Sequence, residues 1–498
     1  MKKPLLLLFI LFTYTSNLVN AQNIDSTVRH AASAFMASGP RVGLSLGIIK
    51  NGQVYRYHFG STQKDINAIP TDQTIYEIGS VTKTFFSLLL AQAVIEKRVS
   101  LSDDIRKYLK GNYPNLQYNG KPIQLVHLAN LTSGLPDNLP EKLPAFKNMS
   151  PDSQTFERKK FHDNFTRTQF LTELHTVKLT KEPGLNSAHS NTAAQLLGFL
   201  LENIYGTSYD ALLIKYITGP LKMGNTFFTA PTTKQALCAQ GYDEKGVLMP
   251  EIPKDAGSAG GLKSSLADMM VYMKYQLGEK NTVVTMSHKP TWGNPETWAV
   301  GLVWQTKTHF DGKRDIWEMG GTGGQSCLTD LYPERNFGIV ILTNESDGKG
   351  EAQDRLSDMA ETIYNELYFT ASQRSKEGFG FSAAANTLLD TLNKYGFENA
   401  VKVADDLKKQ DHSFKLLEGE MNSLGYKLLN KSQKEKALEL FKLNVNLYSA
   451  SSNTYDSLAE TYENMGNKVL AIKNYKRVLE LNPQSSNAVE HLKKLEKE

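Results

Sequence analysis

The sequence predicts an α/β (α+β) domain of mixed strands and helices, followed by an all-α domain. Three observations carry this expectation. Val42 to Phe59 alternates between two faces around Lys50-Asn51-Gly52, with Val42, Leu44, Leu46 and Ile48 before the turn and Tyr55, Tyr57 and Phe59 after it. That pattern reads as the two strands of a hairpin. Glu77 to Val94 passes from a polar start into an apolar run and reads as a helix. Beyond residue 418 the period changes, for Leu424, Gly425, Ala437 and Phe441 recur as Leu458, Ala459, Ala471 and Tyr475, each thirty-four residues later.

The first residues address the chain. Lys2-Lys3, the apolar run Pro4 to Phe12, and Val19-Asn20-Ala21 before Gln22 are the charged, apolar and small-residue parts of a secretory signal, so cleavage after Ala21 is expected, removing residues 1–21. The run is too short to span a bilayer and no later stretch reaches eighteen apolar residues, so no membrane span is expected after cleavage and the protein should be periplasmic or secreted. A chain of 498 residues, 40% hydrophobic, has room for two cores. Its 56 basic and 52 acidic side chains leave a net +4 without a basic stripe, which argues against a nucleic-acid partner. Neither cysteine, Cys238 or Cys327, follows the apolar run, so a lipid-anchored cysteine is not indicated, and the sequence offers no support for a disulfide between them.

Two short motifs compete for a nucleophilic serine. Gly43-Leu44-Ser45-Leu46-Gly47 matches G-x-S-x-G, but a nucleophile elbow needs strand, sharp turn and helix, whereas here the strand continues into a hairpin; Ser45 reads as a strand residue. Ser80 and Lys83 instead fall in the first turn of the predicted helix, three residues apart on one face and near its positive end. A serine hydroxyl needs an adjacent base, and a lysine desolvated in a pocket can lose its proton and act as one. S-x-x-K alone is weak, since Ser61-Thr62-Gln63-Lys64 matches it with no helix behind.

Context strengthens the second motif. Val99 to Leu109 follows the helix, then Leu131-Thr132-Ser133-Gly134-Leu135-Pro136, a loop whose Ser-Gly and Leu-Pro pairs read as a structural turn. Pro183-Gly184 leads to His189-Ser190-Asn191 and Leu196-Leu197-Gly198. Asp255 to Met269 contains Ala259-Gly260-Gly261-Leu262 ahead of a helix, with Asp268 as a first-turn acid. Trp317-Glu318-Met319-Gly320-Gly321-Thr322-Gly323-Gly324 precedes the apolar strand Phe337 to Thr343. In this order the segments resemble the serine β-lactamase and penicillin-binding protein superfamily, in its branch of class C β-lactamases, D-alanyl-D-alanine carboxypeptidases, D-aminopeptidases and esterases, over residues 30 to 368.

The resemblance implies an antiparallel sheet with helices on both faces and a mostly helical subdomain between the first and third signatures. It implies acyl transfer with Ser80 as nucleophile and Lys83 beside it, Asn191 contacting substrate, and the amides of Ser80 and Gly321 forming an oxyanion hole on a strand edge that includes Gly320 and Thr322. No metal or cofactor is expected; neither H-E-x-x-H nor a glycine-rich phosphate loop is present. Three positions depart from the pattern: Leu131 replaces a histidine, His189 the tyrosine of the second signature, and Glu318 the cation of the third. A carboxylate beside an imidazole orients a histidine base in many hydrolases, so His189 and Glu318 are expected to pair and restore base function together.

The expected domains are the hydrolase domain 22–370, a linker 371–384 without period, a helical lead-in 385–418 that forms a degenerate repeat or docking pair, and two units at 419–452 and 453–486 that look like tetratricopeptide repeats, closed by a helix at 487–498. Two functions from different classes follow. One is an exported serine hydrolase acting on an ester, amide or D-amino-acid peptide, not an efficient β-lactamase because Glu318 repels a substrate carboxylate. The other is a catalytically degenerate ligand-binding protein that docks a protein partner through its repeats.

Overall fold

The computed structural model describes residues 24–141, 143, 151–296, 298–308, 312–347, 350–369, 382–412, 414–430, 432–483 and 485–496. The expected signal 1–21 and nearly all of the expected linker lie outside these residues. The described residues form two compact units, one up to Ile363 and the other from Tyr364 onward together with Thr308 and Gly312.

In the first unit, helix α1 (residues 24–37) leads into β1 (Gly43–Lys50) and β2 (Gln53–Gly60). The hairpin pairs Leu44 with Phe59 and Ile48 with Tyr55, and both turn residues, Asn51 and Gly52, take the positive φ that a two-residue turn of this hand needs. Six later strands complete one sheet: β3 (Trp292–Asn294), β4 (Trp298–Val300), β5 (Gln305–Thr308), β6 (Arg314–Gly321), β7 (Ser326–Tyr332) and β8 (Phe337–Thr343), in the order β2-β1-β8-β7-β6-β5-β4-β3. The pairings β1–β2, β1–β8, β7–β8 and β6–β7 are antiparallel. Every residue of β7 and β8 is buried, so both faces of the middle of the sheet are covered.

The helices that matter for the site are α2 (Thr82–Ile95), α3 (Asn191–Tyr205), α4 (Leu266–Leu277) and α5 (Glu351–Tyr368). α2 is buried nearly all round, as its apolar sequence requires. α4 lies on β1, β7 and β8, where Gly47 leaves space that Met270 and Leu266 fill. Between α2 and α3 come the helices Leu125–Ala129, Pro151–Asp163 and Arg167–Leu174, the helical insertion that the signatures imply. Cys238 and Cys327 are both free thiols.

The second unit is all helical: α6 (Ala383–Tyr395), α7 (Ala400–Gln410), α8 (Glu418–Asn430), α9 (Lys434–Leu447), α10 (Ser452–Asn464), α11 (Lys468–Leu481) and α12 (Ser486–Leu495). The eight recurring residues are all buried. A Cβ on Gly425 would stand 2.5 Å from the Phe441 ring, so a small residue on one helix of the pair accommodates an aromatic on the next.

Candidate active site

Ser80 sits on a single 3-10 turn, Gly79–Val81, that runs directly into α2. It thus precedes the α-helix by two residues instead of lying in its first turn. Gly79 takes φ +50, and a Cβ there would lie 2.5 Å from the Gly321 amide nitrogen. A Cβ on Gly320 would collide with the Ile78 carbonyl oxygen and lie 2.9 Å from the Ser80 nitrogen. The glycines therefore let the serine turn and the end of β6 approach backbone to backbone, which brings the Ser80 and Gly321 segments together at the C-terminal end of that strand.

Lys83 is 1% exposed. Its Nζ lies 2.6 Å from Ser80 Oγ, 2.9 Å from Asn191 Oδ1 and 2.6 Å from the Ala259 carbonyl oxygen. Three acceptors match the three hydrogens of an ammonium; a neutral amine keeps two donors for Asn191 and Ala259 and turns its lone pair to the Ser80 hydroxyl. Burial pulls the Lys83 pKa down to about 8, opposed by the charges of Glu318 and Asp137. A base poised near neutral pH is what serine activation requires.

Each acceptor has its own support. Ser190 caps α3, its Oγ accepting the Ala193 amide at 3.0 Å, and this fixes Asn191 at the helix start. Asn191 Nδ2 then donates to Asn138 Oδ1 at 3.0 Å. Ala259 belongs to the short helix Gly257–Gly260, held against α3 by the Ser258 hydroxyl donating to the Ala194 carbonyl at 2.8 Å, where Gly198 leaves room for it. The Ala-Gly-Gly-Leu segment thus contributes a backbone acceptor, which no side-chain pattern announces.

A cavity of about 640 Å³ opens over this arrangement, and Ser80, His189, Asn191, Glu318 and Gly321 all reach its walls. Lys83 and Gly320 lie beneath it. Thr322 is not part of the walls; its Oγ1 accepts the Gln325 amide at 3.1 Å and shapes the turn after β6. The walls carry the carboxyls of Asp255, Glu318 and Asp354 and no arginine or lysine. Glu318 is buried, and its pKa rises through desolvation, countered by the Lys83 charge and by hydrogen bonds with Gln305 and the Met319 amide.

The expected His189–Glu318 pair is not what holds the imidazole. His189 Nδ1 lies 2.6 Å from Asp137 Oδ1, while the buried Glu318, on β6, feels the Lys83 charge. Asp137 directly follows the Leu131–Pro136 turn, and its carbonyl accepts the Thr192 amide at 2.9 Å, so the turn read as structural also delivers a carboxylate to the second signature. Asp268, by contrast, is a helix acid: it accepts the Asn225 amide at 2.7 Å and the Thr226 hydroxyl at 2.9 Å.

Ser45 also meets a histidine and an aspartate. Its Oγ is 3.0 Å from His58 Nδ1, and His58 Nε2 is 2.9 Å from Asp72 Oδ1. Ser45 is fully buried within β1 and bonded to the Tyr76 hydroxyl at 3.0 Å, so this line of residues presents no nucleophile to a substrate. Among the described residues no group of histidine, cysteine and carboxylate side chains is placed to hold a metal ion, and no helix is long and apolar enough to cross a membrane.

The Beta-lactamase family model matches residues 28–363. Protein flp of Staphylococcus aureus (strain MRSA252) is 30% identical over 342 residues, a match covering 65% of this chain and 62% of that protein's own length. The D-alanyl-D-alanine-carboxypeptidase/endopeptidase AmpH of Escherichia coli (strain K12) is 29% identical over 345 residues, covering 65% of this chain and 84% of AmpH. Among solved structures, the β-lactamase/D-alanine carboxypeptidase from Yersinia pestis superposes with a TM-score of 0.59 at 26% identity, covering 70% of this chain and 99% of that one.

Proposed function

Since the chain belongs to the β-lactamase family, we propose that it is an exported serine hydrolase that forms an acyl-enzyme on Ser80 with a neutral ester, an amide or a D-amino-acid peptide. The observation that carries this reading is the 2.6 Å contact between Ser80 Oγ and a lysine buried to 1% exposure at the floor of an open cavity. Ser80 attacks the substrate carbonyl, Lys83 takes its proton, and the Ser80 and Gly321 amides receive the developing oxyanion. Asn191 orders Lys83 on one side and meets substrate on the other. The walls offer no arginine or lysine to pair with a substrate carboxylate, which supports the expectation that penicillins and peptides with a free C-terminal carboxylate are poor substrates.

Export rests on the N-terminal charged, apolar and small-residue segments. The helix pairs α8–α9 and α10–α11, with their thirty-four-residue recurrence, support a reading as two tetratricopeptide repeats that dock a protein partner. The test of the enzymatic reading is covalent labelling by a fluorophosphonate probe with Ser80→Ala as control. Labelling of the wild type alone, with release of product from a neutral ester, is expected; a wild type that takes no label and turns over no ester is a binding protein instead.

A further inference from the structure

Glu77 ends the short strand Ile75–Glu77, three residues before Ser80, and is buried to 3% exposure. Its Oε1 accepts the Ile252 amide at 2.7 Å, and Ile252 is part of the cavity wall. Its own amide donates to Gln325 Oε1 at 3.0 Å, and Gln325 is in turn fixed by donating from Nε2 to the Ala239 carbonyl at 3.1 Å. Burial raises the pKa of the Glu77 carboxyl, opposed by the Ile252 amide, by the charge of Lys263, which faces it across the strand pair, and by a hydrogen bond from the Thr322 hydroxyl. Thr322 and Gln325 are the first and last residues of the turn between β6 and β7, so one residue holds both ends of the turn that follows Gly321. Buried ion pairs are often replaceable by apolar side chains without loss of stability, so packing alone does not account for a carboxylate at this position.

Resting on the serine-hydrolase reading, we propose that Glu77 is the positioning residue of the oxyanion hole, holding the Ser80 and Gly321 amides at the spacing that receives the developing charge. The two donors belong to different segments, which touch through the backbone of Gly79, Gly320 and Gly321. Glycines carry no side chain that could fix this contact, so its spacing is set from the flanks. On one side stands Glu77, ahead of the serine turn; on the other stand Thr322 and Gln325, after β6. Thr322, which the motif places at the substrate, acts through Glu77 instead, and the Ile252 bond ties the cavity wall to the same carboxylate. Transition-state donors are sensitive to such placement, since a shift of about 1 Å can cost on the order of 100-fold in rate.

The experiment compares 4-nitrophenyl acetate with its thiono counterpart, in which sulfur replaces the carbonyl oxygen, on the full chain. The proteins are wild type, Glu77→Gln, Thr322→Val, their double variant and Gln325→Met. Rates are taken as kcat/KM, which reports acylation, per Ser80 site counted by fluorophosphonate labelling, so misfolded protein drops out. Amide donors stabilise a developing charge on sulfur less well than one on oxygen, so a displaced donor penalises the oxygen ester more. Gln keeps the shape of Glu77 but offers one acceptor instead of two and no charge to Lys263. Glu77→Gln is expected to lose about 30-fold on the oxygen ester and less than about threefold on the thiono ester. In the Thr322→Val background the same change should add less than about threefold on the oxygen ester. Gln325→Met removes the second tie, should lower the same ratio, and carries the test where Glu77→Gln does not fold. Equal losses on the two esters, or an oxygen-ester rate within about twofold of wild type in labelled Glu77→Gln or Gln325→Met, overturn the proposal while leaving the hydrolase reading intact. A wild type unlabelled at Ser80 overturns both.

Discussion

Protonation of Lys83 sets the pH dependence of acylation. Burial holds this amine to about 8, with the Glu318 and Asp137 charges opposing. Only the neutral amine accepts the Ser80 proton, and its share is about one-tenth at pH 7 and about one-hundredth at pH 6. Falling pH removes the base, so kcat/KM for a neutral ester should drop about tenfold per unit below pH 8 and level off above it. A lysine at the ordinary value of about 10.4 would still be gaining activity at pH 9. The assay is the initial rate on p-nitrophenyl acetate between pH 5.5 and 9.5 at constant ionic strength, with spontaneous hydrolysis subtracted. Glu318→Gln sharpens the test, because the carboxylate it removes is the charge that raises Lys83. The acid limb should then move to lower pH, by less than a full charge would give, because burial raises the Glu318 carboxyl itself to about 8. A wild-type profile flat from pH 6 to 9, or an acid limb that moves upward in Glu318→Gln, refutes the assignment of Lys83 as the base.

Gly320→Ala should lower kcat more than it raises KM and cost about 2 kcal/mol or more in chemical denaturation, because the new Cβ collides with the Ile78 carbonyl and pushes on the Ser80 backbone. Ser45→Ala should leave ester turnover within about twofold of wild type, since the hydroxyl is sealed inside β1; a large loss with the fold intact would assign Ser45 a catalytic part. Benzylpenicillin should be turned over far more slowly than a neutral ester, as the walls hold no arginine or lysine to pair with its carboxylate, and a spectrophotometric assay at 235 nm checks it. Removal of residues 383–498 should leave a folded enzyme active on the same ester, because every residue lining the cavity lies at or before Asp354.

How much of the site could be read in advance follows from how local each contact is. Ser80 and Lys83 are three residues apart, so the helical turn that joins them is written in adjacent letters. Asn191 is recognisable by the residues around it, although its bond to Lys83 spans 108 positions. Asp137 is legible only as an acid after a proline turn; its bond to His189 crosses 52 positions and displaces the Glu318 partnership that motif alignment suggests. The Ala259 acceptor is a backbone carbonyl, and every residue has one. Ser45, His58 and Asp72 show the opposite failure, for three catalytic residue types meet within hydrogen-bonding distance and burial denies them a substrate.

By itself the sequence determined the hairpin at Asn51-Gly52, the apolar helix behind Ser80, the order of the three signatures and the change of period after residue 418, because alternation, turn chemistry and spacing act over a few residues along the chain. Only the tertiary structure decided which carboxylate meets His189, that Lys83 is dry enough to lose its proton near neutral pH, and that Glu318 acts on that lysine instead of on the histidine. Those outcomes depend on distance through space and on exclusion of water, and both are set by how separate segments pack.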